Sequence, residues 1–436
     1  MYSSGEETLR NDTVRETIYM RRHESGLPVY FCPKPGYQKR YACFATHFGS
    51  IDSSFRRDGG PRVDVPDGVA HFLEHKLFEG EDANAFEEFS KNGASSNAYT
   101  SFGVTNYLFA CGEAFFENLR HLIRFVREPY FTDENVEKEK GIIGQEIRMY
   151  EDDPGWRSFF NLLGKLYQKH SIRRDIAGTQ ASIAEIDKEL LYRCYNTFYH
   201  PENMILFAVG DEDRDELYDC VAECLSGAGT EPLGKLERFT PEEPPEVAGV
   251  ERREEMAISM PRLLLGFKDR QVGFGGRELL AKELVTDILL EIAFGKSSDF
   301  YQRLYEERLI DDGFGASYSC LIDVGHSMVG GDTPDPERLA AVVLEEAERL
   351  RASGVGAGDF ERQKRSVMGT FFRQFNSLEF IANHFCSYRF LGINLFDIID
   401  VLHEITVEDL NRRLEEHLVP DAAARSIILP KETPPS

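Results

Sequence analysis

Residues 71–75 read His71-Phe72-Leu73-Glu74-His75. On an α-helix, His71 and His75 stand one turn apart on one face, and Glu74 borders that face. Two imidazoles at i and i+4 can share one Zn²⁺, and a carboxylate beside them can accept a proton from water on the metal. A closed structural zinc site has no need of such a base, so Glu74 points to hydrolytic chemistry.

The order HxxEH is HExxH reversed, the inverzincin arrangement. Two histidines leave a catalytic zinc one protein ligand short. The third is expected in 137–151, EKEKGIIGQEIRMYE, where Glu139 and Glu146 lie two turns apart on one helical face. One of them can ligate the metal while the other fixes an imidazole from behind. Solvated surface carboxylates are the alternative reading of both.

The helix carrying HFLEH spans about 68–79, with Gly80 where a C-cap is expected. Ala83–Lys91 reads as a short helix. The Thr-, Tyr- and Phe-rich stretch 97–111 reads as strand, and 112–126 as helix up to the break at Pro129. Thr132 is a candidate cap for a helix ending before Asp152-Asp153-Pro154-Gly155. Further strands are expected at 29–32, 41–48 and 204–209, and a helix at about 213–225. Residues 238–247, RFTPEEPPEV, carry three prolines and read as a linker. After it come strands at 263–267 and 317–322, with helices at 279–290, 339–350, 360–375 and 406–418. The predicted fold class is α+β: two similar domains, each a mainly antiparallel sheet with helices packed on one face. The predicted division is 1–235, a linker at 236–250, and 251–436.

Composition excludes several classes. The chain has 75 acidic against 50 basic residues, a net charge of −25. No Lys/Arg cluster dense enough for a nucleic-acid face occurs, so nucleic acid is not an expected partner. The acidity reads as solubility, or as a cavity preferring basic substrates. No apolar run is long enough to span a bilayer, and residues 1–7, MYSSGEE, lack the pattern of a signal peptide. A cytoplasmic location is the expectation, with no membrane partner. Eight cysteines are scattered without a CxxC pair. They read as reduced, mostly buried thiols. Cys220 and Cys224 sit four apart in a predicted helix, but a thiolate metal site there lacks two further soft ligands.

These landmarks resemble the M16 metallopeptidases, the family of pitrilysin, insulinase and mitochondrial processing peptidase. HFLEH is followed about seventy residues later by Glu139-x6-Glu146, with Gly68-Val69-Ala70 before the first histidine. Gly93, Asn97-Ala98-Tyr99-Thr100, Thr105-Asn106-Tyr107, Asp152-Asp153-Pro154 and Tyr199-x-Pro201-x-Asn203-Met204 follow in family order. The likeness covers most of 20–225, continues more weakly in the second half, and is nearest in kind to the short bacterial members.

The resemblance implies half of a clam-shell that encloses peptide substrates. It implies that His71, His75 and Glu146 are zinc ligands, Glu74 the general base, and Glu139 a supporting carboxylate behind the ligands. It implies that Asn97, Ala98 and Thr100 lie on an edge strand that pairs with extended substrate, and that Trp156 is an aromatic near it. The family also uses an Arg and a Tyr, spaced as Leu-Arg-x6-Tyr, to bind the substrate carbonyl. The matching stretch here, Leu304–Phe314, has Tyr305 in the Arg position and Asp312 or Phe314 in the Tyr position. Arg308 and Tyr318 are out of register. The expectation is therefore a homologous partner subunit that supplies the pair, or a homodimer. A non-catalytic scaffold subunit of a heteromeric complex is the alternative.

Overall fold

A computed structural model describes residues 2, 5–81, 84–227, 229 and 231–431; Ala83, the start of one predicted helix, lies outside them. The strands are β1 (Glu7–Asn11), β2 (Glu16–Arg22), β3 (Pro28–Pro33), β4 (Arg40–Thr46), β5 (Ser54–Arg57), β6 (Val63–Asp64), β7 (Ala94–Thr100), β8 (Thr105–Cys111), β9 (Met204–Gly210), β10 (Leu236–Arg238), β11 (Glu251–Met256), β12 (Arg262–Lys268), β13 (Gly315–Cys320), β14 (Gly325–Asp332) and β15 (Ala423–Pro430). The helices that matter for the site are α1 (Val69–Leu77), α2 (Ala85–Lys91), α3 (Phe115–Arg127), α4 (Asp133–Asp152) and α5 (Pro154–Leu166).

The chain forms two compact units. The first comprises 1–147, 175–240 and 372–390, the second 148–174, 241–371 and 391–436. The sequence reading placed contiguous domains on either side of 236–250; the units instead exchange two segments, 148–174 and 372–390. The expected linker is ordered rather than free. Arg238 donates to Asp52 Oδ1 at 2.6 Å, and Glu243 accepts from Lys268 Nζ at 2.5 Å and from three backbone N–H groups at 168–170.

In the first unit seven strands lie in the order β1-β2-β3-β9-β4-β8-β7. All pairs are antiparallel except β3 with β9. The predicted strand at 97–111 is two strands, β7 and β8, because Ser101 and Val104 close a turn between them (Ser101 N–H to Val104 O, 2.8 Å). Phe109 meets Phe89 of α2 and Phe115 of α3 on one face of the sheet. On the other face Tyr41 and Cys43 of β4 meet Asn383 and Cys386 of the helix Leu378–Phe390. Both faces are thus covered, the second by a segment distant in sequence, which accounts for the nearly unbroken burial of β4 and β9.

The second unit has the sheet β11-β15-β12-β14-β13, with β11 and β15 parallel and the rest antiparallel. Numbered by appearance, its strands run 1-5-2-4-3. The strands β3, β4, β7, β8 and β9 run in that same order in the first sheet. The two units share one topology. Among the described residues no helix is long and apolar enough to cross a membrane.

Candidate metal centre

α1 begins where the chain can make an unusually tight approach. Gly68 takes φ +92°, and a Cβ there would lie 2.5 Å from the Ala177 carbonyl oxygen, so only glycine fits. The helix that follows is buried nearly all round. Its apolar residues Phe72 and Leu73 are fully buried, and this packing holds His71 and Glu74 in an environment of low polarity.

α4 crosses beside it and supplies the carboxylates. His75 Nδ1 donates to Glu139 Oε1 at 3.1 Å, which fixes the tautomer and leaves Nε2 as the donor atom for a cation. His75 Nε2 lies 3.3 Å from Glu146 Oε2, and His71 Nε2 lies 3.7 Å from Glu146 Oε1. Among the described residues, the group of His, Cys, Asp and Glu side chains close enough to share a metal is His71, His75 and Glu146, with ligand atoms within 4.8 Å of one another. The spacing left open which glutamate faces the imidazoles; the structure puts Glu146 across from both Nε2 atoms and Glu139 behind His75.

Electrostatics favour a cation here. Burial holds His71 down at about 4, a neutral imidazole suited to ligation. Burial also pulls His75 down, but hydrogen bonds to Glu139 and Glu146 outweigh it and raise it to about 10. The field that holds a proton on His75 is the field that draws a divalent ion, and two neutral imidazoles with one carboxylate match the donor set of a catalytic zinc.

Glu74 is buried beside the ligands, and burial raises its affinity for a proton. Its Oε2 accepts from the Thr100 hydroxyl at 2.6 Å. The Thr100 side chain reaches this carboxylate, so the edge strand and Glu74 are joined. Asn97 and Ala98 also lie on β7, which among the described residues pairs only with β8 and so forms the sheet's edge. The Ala98 N–H points away from β8 and is capped by Asn97 Oδ1 at 2.9 Å. An outward donor protected by its neighbour is how exposed edges avoid unwanted pairing.

Sequence reasoning missed Lys76. It is fully buried, donates to Glu79 Oε2 at 2.5 Å and lies 3.9 Å from Glu139 Oε2. A lysine between HFLEH and the apolar end of α1 was the available signal. Tyr107 and Tyr199, separate landmarks of the resemblance, are brought together with their buried hydroxyls 2.7 Å apart, a pairing the sequence did not show.

The stretch at 304–314 holds no Arg/Tyr pair in the expected register. Tyr305 is half-exposed and stacked on Tyr301, and Phe314 is buried. The Tyr318 hydroxyl donates to Asp269 Oδ2 at 2.6 Å, inside the second unit's core. Trp156 stacks on Tyr150 with ring centroids 4.4 Å apart.

Residues 58–180 match the family model described as insulinase, peptidase family M16, and 185–367 match the one described as the M16 inactive domain. A protein of Bacillus subtilis named an uncharacterized zinc protease, YmfH, is 44% identical over 428 residues, covering 96% of this chain and 98% of that protein. The chain belongs to the M16 peptidase family. An M16-like protein of Alicyclobacillus acidocaldarius has a crystal structure that superposes with a TM-score of 0.91 at 38% identity, covering 99% of both chains. Pitrilysin shares the M16 fold at a TM-score of 0.76 and 16% identity, and this chain spans 47% of its length.

Proposed function

We propose that this chain is the metal-bearing subunit of a zinc endopeptidase that hydrolyses peptides or small polypeptides in an enclosed chamber. One observation carries the reading: His71, His75 and Glu146 converge within 4.8 Å, next to a buried Glu74 tied to the edge strand. Zn²⁺, when bound, supplies the Lewis-acid charge that makes water nucleophilic near neutral pH and polarises the scissile carbonyl.

This chain's residues supply the rest. His71, His75 and Glu146 hold the ion, and Glu139 keeps His75 in the ligating tautomer. The Thr100 hydroxyl occupies Glu74 Oε2. Glu74 Oε1 is left to take the proton of the attacking water and pass it to the leaving amine. β7 holds the substrate backbone as an added strand, with Ala98 N–H exchanging Asn97 Oδ1 for a substrate carbonyl.

The oxyanion pair is assigned to a homologous partner. A second copy of this chain would repeat the same register at 304–314, which favours an unlike subunit. That register also supports a second reading, a scaffold subunit that binds zinc without cleaving.

Zinc content and peptide cleavage of wild type and Glu74→Gln, each with and without a candidate M16 partner, test this. Retained zinc with lost cleavage in the variant supports the reading. Cleavage by the variant at the wild-type rate removes Glu74 as base. Full-rate cleavage by the zinc-loaded wild-type monomer removes the need for a partner, and zinc binding without cleavage in any combination selects the scaffold.

A further inference from the structure

We propose that Gln180 is a positioning residue of the metal centre, one that sets where α4 presents Glu146 to the two imidazoles; this rests on the zinc site proposed above.

The three ligands come from two helices, α1 and α4. The distance between two helices is controlled by no bond within either, so something outside them must fix it. The turn 177–180, in the same unit, touches both. Toward α1 the contact is backbone on backbone. Gly178 takes φ +77°, and a Cβ there would lie 2.5 Å from the Asp67 carbonyl oxygen, as one on Gly68 would from that of Ala177. Glycines on both sides leave the turn and the start of α1 no slack against each other.

Toward α4 the contact is made by the short helix Gln180–Ala184. Thr179 caps it in a capping box with Ser182, its N–H donating to Ser182 Oγ at 2.8 Å. Both ends of this helix are tied to α4. Gln180 Nε2 donates to the Gly144 carbonyl, and Lys140 Nζ donates to the Ala184 carbonyl at 3.1 Å. Gly144 and Lys140 are four apart and share one face of α4. Gly144 and Glu146 stand about 200° apart around the helix. Gln180 therefore braces the back of α4, and the face that carries Glu146 is held toward α1.

Gly144 is shaped for this contact. It is buried, and a Cβ on it would lie 2.9 Å from Gln180 Oε1. Glycine inside a helix weakens it relative to alanine. What it provides here is the seat for the Gln180 amide.

The test measures zinc affinity of the full-length chain by competition with a chromogenic chelator and records the visible spectrum of the cobalt-substituted protein. Gln180 is exposed on its outer side, so Gln180→Ala should fold as wild type does. It should bind zinc about 10-fold more weakly, as when a group supporting a ligand is removed, and alter the cobalt bands. Gly144→Ala separates position from stability. Its methyl group displaces the flexible Gln180 amide while favouring the helix, so the unfolding temperature should hold or rise as zinc affinity falls. The double variant should lose no more than either single one, because both break one contact. Wild-type zinc affinity and cobalt spectrum in Gln180→Ala, or additive losses in the double variant, would overturn the proposal. A wild-type chain that takes up no zinc would remove the metal centre itself, and the proposal with it.

Discussion

The hydroxyl of Thr100, the last residue of the edge strand, donates to Glu74 Oε2 at 2.6 Å. The sheet's edge thereby orients the buried carboxylate beside His71 and His75, so under the proposed function one hydrogen bond would couple strand addition to the placement of the base.

Removing that bond tests the coupling. Thr100→Val should retain zinc and lower kcat/KM about 10-fold or more, while Thr100→Ser stays near wild type. The bond favours the ionised carboxylate, so its loss should also move the acid limb of the pH–rate profile upward. Kinetics across pH, with zinc measured in parallel, check this.

Glu139 and Glu146 should differ in kind. Glu146→Gln removes a ligand and should abolish stoichiometric zinc. Glu139→Gln removes only the group behind His75 and should weaken zinc about 10- to 100-fold. Competition with a chromogenic chelator measures both without relying on activity.

The outward N–H of Ala98 gives a test of strand addition. Ala98→Pro deletes a donor that the β7–β8 ladder does not use, so the fold should survive. KM for peptides should rise while zinc affinity stays unchanged. An unaltered KM would exclude pairing at this position.

Acid should weaken the second unit. Burial holds His417 at about 3 and His326 at about 4, below their unfolded value of about 6.5. The unfolded chain therefore binds more protons, and stability falls as pH drops below about 6.5. Asp269 adds a lower window. Burial alone would raise it, but Arg413, His417 and Lys282 hold it well below the usual carboxylate range, so its contribution is present above about pH 3.9 and fades below. Arg413 is buried against it, with Nη2 2.5 Å from Oδ2. Asp269→Asn should cost about 3–5 kcal/mol at pH 7 and progressively less below pH 4. Urea unfolding at several pH values reads both effects.

Much of the site was legible before any coordinates. HFLEH on a helix specifies two imidazoles and a carboxylate on neighbouring faces, because helical spacing is local. The helix expected at 406–418 also forms, and Thr406 and Asp409 close a capping box at its start, since both groups lie within one turn. The split of 97–111 into β7 and β8 was less legible, because a tight turn between two β-rich runs leaves little compositional trace.

The sequence by itself determined the family, the helix that carries HFLEH and the lack of Arg and Tyr at their expected positions in 304–314. These rest on residue identity and on spacing within one turn or one motif. Spacing left Glu139 and Glu146 equivalent, since two positions seven apart on α4 are alike until another helix packs against them; the tertiary structure sets Glu146 across from both imidazoles and Glu139 behind His75, the arrangement the family resemblance implied. It also decided that Thr100 belongs to Glu74, that 148–174 and 372–390 change units, and that both sheets repeat one strand order. Each depends on contacts between residues far apart in the chain, which periodicity cannot encode.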